Sequence, residues 1–149
     1  MVELKEINED NFNKCLKLKV DSNQKSFVAE NSYSLAQAWL YPKNARPFAI
    51  YNGDEIVGFM MLDIDYHCDG SQRTCGLWRL MIDEKHQGKG YGKAAMQSVI
   101  DYVKKTFNPK EFRTSIVPGN EIAENLYKNL GFMPTGEMDG GEIVMLLKF

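Results

Sequence analysis

Between an apolar run, Leu77 to Ile82, and a stretch of helical apolar spacing stands Gln87-Gly88-Lys89-Gly90-Tyr91-Gly92. Three alternating glycines remove side chains that would block a ligand and free backbone N–H groups to converge on phosphate oxygens at a helix N-terminus. Lys89 and Lys93 add positive charge beside them. The competing reading is a plain glycine-rich turn. Either way, a buried strand that passes through such a loop into a helix directs the chain toward α/β architectures.

Two better-known phosphate loops fit poorly. Gly92-Lys93 is followed by Ala94 where a nucleotide-hydrolysing loop needs Ser or Thr, and no glycine stands five positions before Gly92. The dinucleotide fingerprint started at Gly90 meets Ala95 at its third glycine position, too late in the chain for a full dinucleotide fold to follow.

The surrounding sequence supplies the rest of the fold. Val2 to Ile7 alternates as a half-buried strand, and the polar cluster Asn8 to Asn11 caps a helix carrying Phe12, Cys15, Leu16 and Val20. A long polar loop, Asp21 to Tyr33, precedes a short helix from Ser34 to Leu40 that Pro42 stops. Pro47 to Tyr51 and Glu55 to Asp65 form a hairpin around Asn52-Gly53-Asp54. Leu77 to Ile82, interrupted only by Arg79, suits a strand buried on both faces. Gly90 to Lys105 is an amphipathic helix and Glu111 to Val117 a strand. Asn120 caps a helix ending near Gly131, and two closing strands, Phe132 to Met138 and Glu142 to Phe149, flank Asp139-Gly140-Gly141. The expected order is β-α-α-β-β-β-α-β-α-β-β, an α/β sheet with helices on both faces and no domain boundary over residues 1–149.

Composition narrows the function. A formal net charge of -2 lacks the basic balance of a protein that binds nucleic-acid backbones, so an anionic ligand has to be held locally. Cys15, Cys68 and Cys75 are odd in number and contain no CxxC pair, which suggests neither a disulfide framework nor a metal site. No apolar run approaches membrane-spanning length and the first residues carry no apolar leader, so a cytoplasmic, membrane-free protein is expected.

Gln87-x-x-Gly90-x-Gly92, after a strand ending Leu80-Met81-Ile82-Asp83, resembles the acetyl-CoA signature Q/R-x-x-G-x-G/A of the GNAT superfamily of N-acetyltransferases. Asn120-x-x-Ala123-x-x-Leu126-Tyr127-x-x-x-Gly131-Phe132 resembles the family's second block, so the likeness spans residues 77 to 132 in order and spacing. It implies a mixed, mostly antiparallel sheet splayed at its central strands. Acetyl-CoA would lie in the splay, with its pantetheine arm on the backbone of Leu80, Met81 and Ile82. The pyrophosphate would rest on residues 87 to 93, and Asn120 would reach the arm. A homodimer is implied by the family alone.

The resemblance also makes Tyr127 the general acid toward the departing CoA sulfur; a core tyrosine is the alternative. Seven residues of helix separate it from Asn120, which puts both on nearly one face about 10 Å apart. Val20-x-x-Asn23-Gln24-x-x-Phe27-Val28 and the tail from Gly136-Glu137 to Met145 resemble bacterial spermine/spermidine and diamine acetyltransferases. A small polyamine or diamine is therefore the expected acceptor, with Gln24, Phe27, Trp78, Asp63 and Glu137 expected around it. An aminoglycoside, an amino acid, a protein amine, or a CoA-binding module without turnover are the alternatives. Several polyamine acetyltransferases carry an acid on the strand near the position of Trp78, which could wall the acceptor or simply be core. The base is unassigned among Asp63, Asp65, Glu30, Glu137 and Glu142. His67 and His86 are read as structural, and Arg79 is expected to pair with Asp63 or Asp65.

Overall fold

The computed structural model describes residues 2–66 and 71–149. His67 and Cys68 lie outside them. Among the described residues seven strands form one sheet in the order β1-β2-β3-β4-β5-β7-β6. In chain order the elements are β1 (Glu3–Glu6), α1 (Phe12–Lys17), α2 (Asn31–Leu40), β2 (Ala45–Asn52), β3 (Glu55–Tyr66), β4 (Gln72–Ile82), α3 (Tyr91–Phe107), β5 (Glu111–Ile116), α4 (Glu121–Asn129), β6 (Met133–Asp139) and β7 (Glu142–Lys148). Every neighbouring pair is antiparallel except β4 and β5.

The hairpin between β2 and β3 turns at Gly53, whose φ of 62° suits a two-residue loop. Gly140 and Gly141, at φ 55° and 83°, make the corresponding turn between β6 and β7, and set Asp139 opposite Glu142. Strand β2 begins at Ala45, before Pro47, because β1 pairs only with Phe48 to Tyr51 and asks no N–H of the proline. Strand β4 starts at Gln72, earlier than its apolar run: its polar first half is held by backbone pairing to β3, which hydropathy does not reveal.

Two apolar layers sandwich the sheet. Met60, Leu62 and Ile64 of β3 pack with Met96, Val99 and Val103 of α3 and with Phe112, Tyr127 and Phe132. Phe59 and Met61 of the same strand pack on the other side with Cys15 of α1, Met81, and Leu35 and Ala38 of α2. Phe59 to Leu62 are all 0% exposed, so β3 is the strand most completely buried on both faces. Helix α1 ends at Lys17, which releases Val20 into the segment leading to α2. Helix α2 begins at Asn31, whose buried side-chain amide donates to the Cys15 carbonyl at 2.9 Å and ties the two helices together.

Candidate active site

Strands β4 and β5 pair at one register position, Gly76 with Arg113. Beyond it they diverge, and the gap opens into a cleft of about 780 Å³. Leu77 to Ile82 line one wall, Thr114 to Val117 the other, and α4 contributes Asn120, Ala123, Leu126 and Tyr127. The expected splay of the central strands is thus present, and Leu80, Met81 and Ile82 present their free edge to it.

The glycine loop closes one end. Gly88 and Gly90 have φ of 75° and 83°, and a Cβ on either would meet nothing within 4 Å. Their need for glycine is therefore conformational, and the space above them is open. Gly92 has no positive φ, and a Cβ there would touch Leu126 at 3.7 Å, an ordinary contact. Alanine fits at that position. Helix α3 starts at Tyr91, so the first-turn N–H groups point out of the helix beside Lys93, which lines the cleft. Lys89 does not line it; that side chain lies at the exposed outside of the loop.

Gln87 fastens this loop. Its Nε2 donates to the Ile82 carbonyl at 2.9 Å and to Gln24 Oε1 at 2.8 Å, which uses both amide hydrogens. Gln24, expected near the acceptor, is thereby held at the loop end of the cleft. Phe27 lines the same region with Gln24, Gln87 and Asn120. The Asn120 side-chain Oδ1 accepts from Ala123 N–H at 3.3 Å as the cap of α4, while the residue also borders the cleft.

Tyr127 is 6% exposed and packs against Phe132 with ring centroids 5.5 Å apart. Burial pushes its phenol up to about 12, and a hydrogen bond with the Thr114 side chain offsets part of the shift. The hydroxyl stays protonated at neutral pH.

At Trp78 the β3–β4 register slips: Met61 pairs with Arg79 and Leu62 with Leu77, leaving Trp78 as the extra residue of a bulge. Its ring lies 6.1 Å from that of Tyr41 and carries the Arg79 guanidinium 5.5 Å from its centroid. Arg79 does not pair with Asp63 or Asp65. Those residues stand opposite Gly76 and Thr74, further along the strand, and Arg79 instead donates to Gln37 Oε1 at 2.8 Å and the Trp78 carbonyl at 3.1 Å. Its Nε is buried without a partner among the described residues, and desolvation lowers the guanidinium's pKa, with Glu142 and Tyr33 opposing.

Asp63 and Glu137 are not in the cleft lining. Burial and the neighbouring Asp65 push the Asp63 carboxyl up, and Asp65 accepts from Asn44. Glu137 lies on the exposed β6, 3.8 Å from Arg113. Glu30 precedes α2 and is also outside the lining. Of the five acids considered as the base, Glu142 borders the cleft; Ser115 Oγ donates to its Oε1 at 3.4 Å. No apolar pattern around the glycine turn marked it out. His86 sits on the rim, 3.4 Å from Glu55. Burial pushes the thiols of Cys15 and Cys75 up to about 11 and 12, which removes them as nucleophiles.

A sheet parted at its centre, with a glycine-bounded helix start at one end of the gap and a protonated phenol inside it, defines a scaffold for binding an extended phosphate-bearing acyl donor. Residues 5–132 match the Acetyltransferase (GNAT) family. The chain is 32% identical over 150 residues to a spermine/spermidine N(1)-acetyltransferase of Bacillus subtilis strain 168, covering 97% of each. It thus belongs to the GNAT family of N-acetyltransferases, which use acetyl-CoA. Its fold is similar to that of a spermidine N-acetyltransferase from Vibrio cholerae solved with CoA and spermine, at TM-score 0.75 and 19% identity over 99% of this chain and 95% of that one. It is also similar to an aminoglycoside acetyltransferase solved with coenzyme A, at TM-score 0.79 and 14% identity over 99% of this chain and 95% of that one.

Proposed function

We propose that this acetyltransferase moves the acetyl group of acetyl-CoA onto a primary amine of a small polyamine or diamine, by direct attack in a ternary complex. The identity to the Bacillus spermine/spermidine enzyme over nearly the whole chain is the observation that carries the acceptor class. The fold is shared with an aminoglycoside enzyme and does not discriminate acceptors.

In this reading the pyrophosphate rests on the loop containing Gly88 and Gly90, with Lys93 as counter-charge, and the pantetheine arm follows Leu80 to Ile82. Direct attack is supported by the burial of Cys15 and Cys75, neither of which lines the cleft. Tyr127 meets the departing sulfur. With its phenol near 12 and a thiol near 8.5, complete proton transfer would be uphill by about 5 kcal/mol. Its part is therefore to donate a hydrogen bond to the thiolate as charge develops there.

Initial rates measured while both substrates are varied test this. Intersecting double-reciprocal lines with spermidine as acceptor support a ternary complex. Parallel lines, or turnover confined to aminoglycosides or amino acids, contradict the proposal.

A further inference from the structure

We infer that Glu142 is the catalytic carboxylate on the acceptor side of the cleft, the group that receives the reacting amine and takes up the proton released as the amide forms. The inference rests on the acetyl-transfer reading above, but not on the acceptor being a polyamine.

Thr114 and Ser115 are successive residues of β5, so their side chains leave the sheet on opposite faces. Phe112, Thr114 and Ile116 are buried on the face of β5 that packs with Tyr127, and Ser115, on the other face, donates to Glu142 Oε1 at 3.4 Å. The phenol and the carboxylate therefore address the gap from opposite sides of the sheet. A thioester in that gap would have its sulfur near the phenol and its other side open to Glu142. The amine attacks the thioester carbonyl from one face of its plane, and Glu142 borders the cleft from which that approach is made.

Among the described residues Glu142 is also the carboxylate that lines the cleft. Asp21 and Glu121 border a recess beside Gln87 and Asn120, at the loop end. The turn through Gly140 and Gly141 fixes where Glu142 enters β7, and the Ser115 bond engages one carboxylate oxygen and leaves the other for an incoming N–H.

The step balances as follows. An acceptor ammonium first loses one proton to solvent. The nitrogen lone pair then forms the N–C bond and the C–S bond breaks, leaving a thiolate that accepts a hydrogen bond from Tyr127 and is protonated from solvent. The second proton on nitrogen passes to Glu142 and from there to water. The charged and titratable groups bearing on this site are Arg79 of β4, Arg113 of β5 with its partner Glu137, Asp139 across the hairpin, Lys25 before α2 and Tyr33 of α2. Arg79 and Lys25 favour the neutral amine, whereas Asp139 favours the ammonium.

The test compares wild type, Glu142→Gln and Glu142→Asp from pH 7 to 9.5, on whichever amine of a spermidine, putrescine, lysine and kanamycin panel the wild type acetylates. Expected is a fall of about 10²-fold in amine kcat/KM for Glu142→Gln at pH 7. The deficit should narrow as rising pH lets hydroxide take that second proton in place of the carboxylate, with partial rescue by Glu142→Asp and unchanged acetyl-CoA affinity. A kcat/KM within about threefold of wild type at every pH overturns the assignment. So does an equal loss at every pH accompanied by lost acetyl-CoA binding, which would mark a structural role. Turnover of lysine or kanamycin alone would overturn the polyamine reading while still testing Glu142; no turnover of any amine overturns both.

Discussion

Gly76 lies opposite Arg113 at the position where β4 and β5 pair, and a Cβ on Gly76 would come within 3.2 Å of the Arg113 carbonyl oxygen. The close approach there sets where the strands part, and hence the mouth of the cleft. Gly76→Val should widen the junction, costing about 1–3 kcal/mol of stability by overpacking and weakening CoA binding several-fold. Urea unfolding midpoints and calorimetric titration with CoA measure both.

Two of the loop glycines, Gly90 and Gly92, should respond unequally. Gly90→Ala forces a residue with a side chain to φ 83°, at a cost of about 1–2 kcal/mol, and should weaken acetyl-CoA binding by about tenfold. Gly92→Ala meets ordinary contacts, Leu126 at 3.7 Å and Ile82 at 3.9 Å, and should bind CoA within about twofold of wild type. Dissociation constants for the two variants make the comparison, and equal losses would contradict the assignment of φ as the cause.

Gln87→Ala removes the bonds to Ile82 and Gln24 together. At about 1 kcal/mol per bond it should destabilise the loop by about 1–2 kcal/mol, seen as a lower Tm and weaker CoA affinity. The Gln24→Ala variant, losing one of the two, should fall between.

Tyr127 links the site to alkaline stability. Its phenol is raised in the folded state to about 12 from about 10, so the native form keeps a proton that the unfolded chain sheds. The sign follows: this contribution is complete below pH 10 and is lost as pH rises toward 12, on the order of 2–3 kcal/mol in all. Cys15 and Cys75, raised from 9 to about 11 and about 12, act in the same sense. Unfolding free energy should therefore decline above about pH 9, less steeply in Tyr127→Phe. The same variant should lose about 10²-fold in kcat at pH 7.5, since the hydrogen bond to the thiolate is gone.

Much of this molecule was legible beforehand because its signals are local. Helical spacing marks α3 and α4, Gly53 marks the β2–β3 turn, and the glycine loop with its downstream Asn120 to Phe132 block points to the family. The strand order, the single Gly76–Arg113 junction and the bulge at Trp78 depend on pairing between distant residues and leave no periodic trace. Arg79 illustrates the difference. A lone cation in an apolar strand calls for a partner, and the adjacent strand offers carboxylates, but register puts Asp63 and Asp65 too far along and α2 supplies Gln37 instead. In the sequence Glu142 is one acid among five, and only the folded cleft, which it borders and the other four do not, distinguishes it.

The most direct measurement is to incubate the protein with acetyl-CoA and spermidine, follow free CoA thiol, and analyse the amine by mass spectrometry. The account predicts one acetylated spermidine for each thiol released and little thiol release without amine. Thiol release that is indifferent to spermidine, or spermidine recovered unmodified while another amine is acetylated, would contradict it.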